Sequence, residues 1–136
     1  MQLLSRKKNR RGTSAAECAF CIPLVLLLTF STLEICSAIH VKQTLTVAAY
    51  EGARVGVKRK ATQQHAFDQA ENVLESRGIE GYVITVTPAD FSTLNELDMI
   101  TVNVTAPTAG NSFFISQFIE GKTISSTVNM VREFDE

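Results

Sequence analysis

A chain of 136 residues with a formal net charge of −1 is sized for one domain, and once a leader and an apolar segment are set aside about ninety residues remain for a modest core. Its three cysteines, Cys18, Cys21 and Cys36, all lie in or beside the apolar run, so the remainder is not a disulfide scaffold. The near-neutral charge conceals a polarity: bases crowd the N-terminus, and acids outnumber bases beyond Gly12.

Arg6, Lys7, Lys8, Arg10 and Arg11 form the basic leader, with no acid among them. Such a cluster can contact nucleic acid. Directly before an apolar run it instead holds the N-terminus in the cytoplasm, and no nucleic-acid partner is expected.

From 18 to 33 the chain reads CAFCIPLVLLLTFSTL, without a charge; after Glu34 a second apolar stretch, 35–41, follows. Residues 19–41 are about the twenty that cross hydrocarbon as a helix. On the far side only Lys42 and Arg54 lie near, so the asymmetry sets the N-terminus inside and the C-terminus outside. Three alternatives stand beside a retained span. Cys36-Ser37-Ala38 loosely resembles a signal-peptide cleavage site, although Glu17 opens the run and Glu34 interrupts it. Leu33-Glu34-Ile35-Cys36 resembles a lipoprotein site with a glutamate at a small-residue position. A buried helix of a soluble protein fits the flanking charges poorly. Pro23 removes one helix hydrogen bond, which membrane helices tolerate. Cys18-x-x-Cys21 has metal or redox spacing, but no second pair follows and the residues read as small apolar side chains.

Beyond Val41 the composition stays helical to about Lys60 apart from Gly52 and Gly56, each costing about 1 kcal/mol relative to alanine. Ala48, Gly52 and Gly56 fall at i, i+4 and i+8 on one face, beside Ala49 and Ala53. That face admits another helix backbone to backbone; the alternative is that the glycines end the helix.

Residues 61–77 read as an amphipathic helix with an apolar stripe of Ala66, Ala70, Val73 and Leu74, Phe67 at its edge, and Gly78 as its C-terminal stop. Residues 82–87 (YVITVT) form a strand stopped by Pro88. Ile100, Val102, Val104 and Ala106 alternate with Thr101, Asn103 and Thr105 as a half-buried strand ending at Pro107. Residues 112–119 predict a short helix or loop over the sheet. Residues 123–131 form a third strand with Ile124, Val128 and Met130 on one face. The expected fold is α+β: a long transmembrane helix continuing outside the membrane, then one or two helices against a roughly three-stranded antiparallel sheet. The segments are 1–12, a cytoplasmic leader; 13–60, the transmembrane and extended helix; and 61–136, a small extracytoplasmic domain.

No catalytic constellation emerges. His40 and His65 lack metal-ligand spacing, and there is no phosphate loop or nucleophile elbow. Asp68, Glu71 and Glu75 read as a solvated helix face. Asn103-Val104-Thr105 matches a glycosylation sequon but sits inside a strand. No cofactor or metal is expected.

Arg10-Arg11-Gly12, Glu17, Pro23, the leucine-rich run, Glu34 and Ala48-Ala49-Tyr50-Glu51-Gly52-Ala53-Arg54 together resemble the TadE-like family, the minor pilins or pseudopilins of the tight-adherence (type IVc) pilus. The resemblance covers about residues 10–54. It implies cutting by an aspartic prepilin peptidase between Gly12 and Thr13, which makes Glu17 the fifth residue of the mature chain. Cys18 stands where related pilins often carry tyrosine.

A carboxylate at the edge of an apolar helix is costly unless paired. Cleavage would create an amine at Thr13, and in a bundle Glu17 of one subunit can pair with that amine on another. The alternative is that Glu17 reaches the headgroup region. Glu34 is expected either to face a partner helix or to stay solvated near the outer interface. The leading expectation is thus a non-enzymatic, pseudopilin-like subunit in the bacterial cytoplasmic membrane. Its partners would be the lipid bilayer, a prepilin peptidase and other pilin or pilus-assembly subunits, with incorporation into a surface pilus as one outcome. The runner-up is a membrane-anchored or secreted binding domain; an enzyme ranks third.

Overall fold

The computed structural model describes residues 11–92, 97–111 and 122–132, with side chains from residue 14 onward. The leader through Arg10, the expected element at 112–119 and the C-terminal acids lie outside the described residues. Two compact units divide at residue 33: Met1–Leu33 and Glu34–Glu136. Helix α1, Arg11–Gly56, contributes to both.

In the first unit every side chain from 14 to 33 is exposed, Phe20 by 84% and Leu27 by 61%. A helix apolar around its whole circumference has no face suited to water. Its composition and length suffice to cross a membrane. Three of its hydroxyls bond within the helix: Thr29 donates to the Val25 carbonyl (2.8 Å), Ser31 to Leu27 (2.8 Å) and Thr32 to Leu28 (2.9 Å). Polar groups in hydrocarbon require such internal bonds.

From Glu34 onward burial becomes periodic. Glu34, Val41, Thr44, Leu45, Ala48, Ala49, Gly52, Ala53 and Gly56 are buried, while the residues between them are half-buried or exposed. The second half of α1 is therefore an amphipathic helix inside the core of its own unit. The compact units divide within this helix, at residue 33. The helix also stops at Gly56, four residues short of the expected end. Val57–Lys60 turns the chain, with Lys60 at φ 64° and the Ala61 N–H bonded to the Lys58 carbonyl.

Helix α2, Gln63–Ser76, starts at Thr62, whose hydroxyl accepts the His65 N–H while His65 Nδ1 accepts the Thr62 N–H, so two orphan donors are satisfied reciprocally. It ends in a Schellman motif: Gly78, at φ 67°, donates to the Glu75 carbonyl and Ile79 to the Leu74 carbonyl. Leu74 and Ile79 are both buried, as that motif favours.

The strands are β1 (Val83–Thr87), β2 (Met99–Pro107) and β3 (Thr123–Val131), antiparallel in the order β1-β2-β3. Val102 pairs with Val86 on one side and Val128 on the other, which places Ile100, Val102, Val104 and Ala106 on the inner face. Each of those four is fully buried. Burying a side chain of the valine-to-leucine class stabilises by about 1.5–3 kcal/mol, so β2 supplies much of the core. The outer face carries Thr85, Thr101, Asn103, Thr105 and Thr127, and the sequon residues Thr105 and Asn103 bond to each other there (3.1 Å). The helix α1 reaches β3: Lys42 donates to the Ser125 carbonyl, and the Thr46 and Ser126 hydroxyls lie 3.0 Å apart. This α+β arrangement matches the expected fold class.

Candidate assembly site on the first helix

The residues singled out by sequence all lie on α1, and the structure separates them into two settings. Glu17 stands exposed on the all-exposed segment, one turn beyond the expected cut between Gly12 and Thr13, where α1 has already begun. Cys18 and Cys21 are free and exposed on the same segment, and Cys36 is free and exposed further along. Among the described residues no group of three or more His, Cys, Asp or Glu side chains is placed to hold a metal ion. Pro23 lies inside the helix.

Glu34 is a buried carboxylate on α1. It is 7% exposed, while Leu33 and Ile35 beside it are 52% and 60% exposed. Its carboxylate is thus withdrawn into the unit that it opens, away from the surface available to a neighbouring helix or to solvent.

Ala48, Gly52 and Gly56 do admit a close approach, but the occupant is this chain's own α2 and sheet. A Cβ on Gly52 would meet the Ala66 carbonyl oxygen at 2.9 Å and the Ala70 Cβ at 3.1 Å. One on Gly56 would meet Phe91 at 3.3 Å and the Ala66 Cβ at 3.4 Å. The small-residue stripe is consequently part of the domain core, where the helix it admits is α2. Periodicity alone fixes the stripe but not its partner, because α2 carries small residues at matching positions, Ala66 and Ala70.

What remains on the outside of α1 is a second stripe, Ile35, Ile39, Val47 and Tyr50, all exposed, with Arg54 and Glu51 paired beside it at 3.4 Å. In sequence this stripe is masked by the apolar run of residues 19–41, into which Ile35 and Ile39 merge. The signal that finds it is the doubled periodicity: apolar residues recur on two opposite faces between 35 and 53.

The family model described as TadE-like protein matches residues 12–54. That segment covers the exposed apolar helix, Glu17, Glu34 and nearly all of the buried small-residue stripe. No curated protein and no solved structure matches the chain.

Proposed function

We propose, from the premise that residues 12–54 are a TadE-like segment and the chain a component related to the tight-adherence pilus, that this protein is a non-enzymatic, pseudopilin-like subunit of that apparatus. Residues 14–33 cross the cytoplasmic membrane with the N-terminus inside, and the domain from Glu34 stands outside. Twenty helical residues measure about 30 Å, the thickness of the hydrocarbon core. On this reading the span lies some residues earlier than 19–41, which the burial of Val41 in the second unit supports. A prepilin peptidase cuts after Gly12. Glu17 then pairs with the Thr13 amine of an adjacent pilin subunit and sets their axial register, because an unpaired carboxylate in that position is costly.

The observation that carries this reading is the coincidence of the family match with an apolar helix exposed on all sides and bearing one carboxylate near its start. N-terminal sequencing of membrane-extracted protein tests it. The expected mature terminus is Thr13, abolished by Gly12→Val. A terminus at Met1 sinks the processing step, and one at Ile39 makes the segment a removed signal peptide.

A membrane-anchored binding domain is the second reading. It is favoured by the small-residue stripe being filled within the chain, which leaves less of α1 for neighbours. An intact leader on the mature protein supports it.

A further inference from the structure

The inner face of the sheet packs into the domain core, and its outer face is open. On the outer face Val83, Met99 and Val131 are 62%, 56% and 42% exposed, and the threonines of β1 and β3 are exposed throughout. Charged residues make up 20% of the chain, yet β1, β2 and β3 contain none. Charges on exposed strands are the ordinary device that keeps one sheet from meeting another. This face lacks it.

The strand register sets polar, uncharged side chains in rows across the sheet. Thr85, Asn103 and Thr127 form one row; Thr87, Thr101 and Asn129 form another. Each of these side chains both donates and accepts hydrogen bonds. A face built from such groups is complementary to itself, because every group can meet its own kind. Lysine only donates and an ionised carboxylate only accepts, so a face of either rejects its own copy. Self-complementarity is what a two-fold contact between identical chains requires.

Asn103 shows the point at one residue. It stands midway along β2, the central strand. Its side-chain oxygen accepts the Thr105 hydroxyl at 3.1 Å, while its amide N–H groups have no partner among the described residues.

We propose that this outer face docks on the same face of a second copy of the chain, about a two-fold axis that sets Asn103 opposite the partner's Asn103. Whether the axis runs along the strands or across them, the middle of β2 faces itself. The two amides then donate to each other's oxygen, and Val83 at one end of the face and Met99 with Val131 at the other supply apolar area. Three strands of up to nine residues, at about 3.4 Å per residue and about 4.8 Å per strand, give a footprint of about 400 Å². With the relief of the side chains, two copies bury roughly 1,000 Å², the lower bound for a specific interface, so the contact is weak and reversible. The inference rests on the second unit alone and holds whether or not residues 14–33 span a membrane.

The test uses the full chain in detergent, carrying Cys18→Ser, Cys21→Ser and Cys36→Ser. Asn103→Cys in that background is expected to oxidise to a covalent dimer, and Gln64→Cys, exposed on α2, to remain monomeric. Equal crosslinking from both positions overturns the proposal, since association then runs through another surface or through chance collision. In a second arm two differently tagged copies of one variant are mixed and their co-purification is measured. Asn103→Asp and Asn103→Lys are each expected to lower it about tenfold, because like charges meet at the axis, and mixing the two variants is expected to restore it. Wild-type co-purification of either variant with itself overturns the proposal, and so does a mixture that fails to recover.

Discussion

Gly52 of α1 lies against Ala66 of α2 so closely that a Cβ on the glycine would stand 2.9 Å from the alanine's carbonyl oxygen. Backbone cannot yield there as a flexible side chain would. Gly52→Ala is expected to destabilise the domain by about 1–3 kcal/mol despite the gain in helix propensity, and Gly52→Leu to prevent its folding. At Gly56 the nearest atoms are side-chain carbons at 3.3 and 3.4 Å, so Gly56→Ala is expected to change stability by less than about 1 kcal/mol. Thermal unfolding of the detergent-solubilised full chain separates the two. Equal effects would mean that the helices are not in contact at Gly52.

Thr44 is fully buried on α1, and its hydroxyl has no hydrogen-bond partner among the described residues. A buried polar atom left unsatisfied costs about 1–3 kcal/mol. Thr44→Val, which keeps the branched shape, is therefore expected to raise stability by about 1 kcal/mol. Thr44→Ala, which opens a small void as well, is expected to gain less. A denaturant midpoint lower in Thr44→Val than in wild type would show that the hydroxyl is bonded in solution.

Tyr82 donates its phenolic hydrogen to Glu71 on α2 (3.2 Å). Burial first, then the charge of Glu71 and its hydrogen bond, and then Glu75 push the phenol up from its ordinary value. The folded state thus holds this proton more tightly than the unfolded chain. Its contribution to stability is complete below about pH 10 and is lost as pH rises through the folded value. Tyr82→Phe is expected to cost about 0.5–1.5 kcal/mol at neutral pH and to flatten the alkaline fall in stability. Unfolding measured from pH 8 upward checks both, and an unchanged alkaline slope would exclude Tyr82 as its source.

Glu17→Gln keeps the shape of the side chain and removes its charge. Membrane insertion and cleavage after Gly12 are expected to persist, while crosslinking to neighbouring pilus components is expected to fall to about a tenth of wild type, for a pairing worth about 1.4 kcal/mol. Equal protein levels must accompany the comparison. Undiminished crosslinking would remove the amine-pairing role and leave Glu17 as a headgroup contact.

Much of the fold was legible in sequence because its elements carry their own periods and stops. The third strand lies at 123–131 as read, Gly78 ends α2 as read, and the alternation from Ile100 to Ala106 is the buried face of the central strand. The reading of the candidate site was less complete. Glu17 and the apolar run stand out from local composition alone, since a charge at the edge of an uncharged stretch needs no tertiary context to be noticed. His65 did not: it looked like an isolated histidine, and its part in the α2 capping box follows from the backbone conformation at Thr62.

Local order, by contrast, could not say what the second half of α1 touches. A helix with small residues on one face and large apolar ones on the other accepts a partner from its own chain or from another. Only the folded domain decided that α2 and β2 take the Ala48, Gly52 and Gly56 face, leaving Ile35, Ile39, Val47 and Tyr50 outside. Glu34 shows the same division. The sequence determined that a carboxylate interrupts the apolar run, but its burial is a property of the folded unit that it opens, and no local period records it.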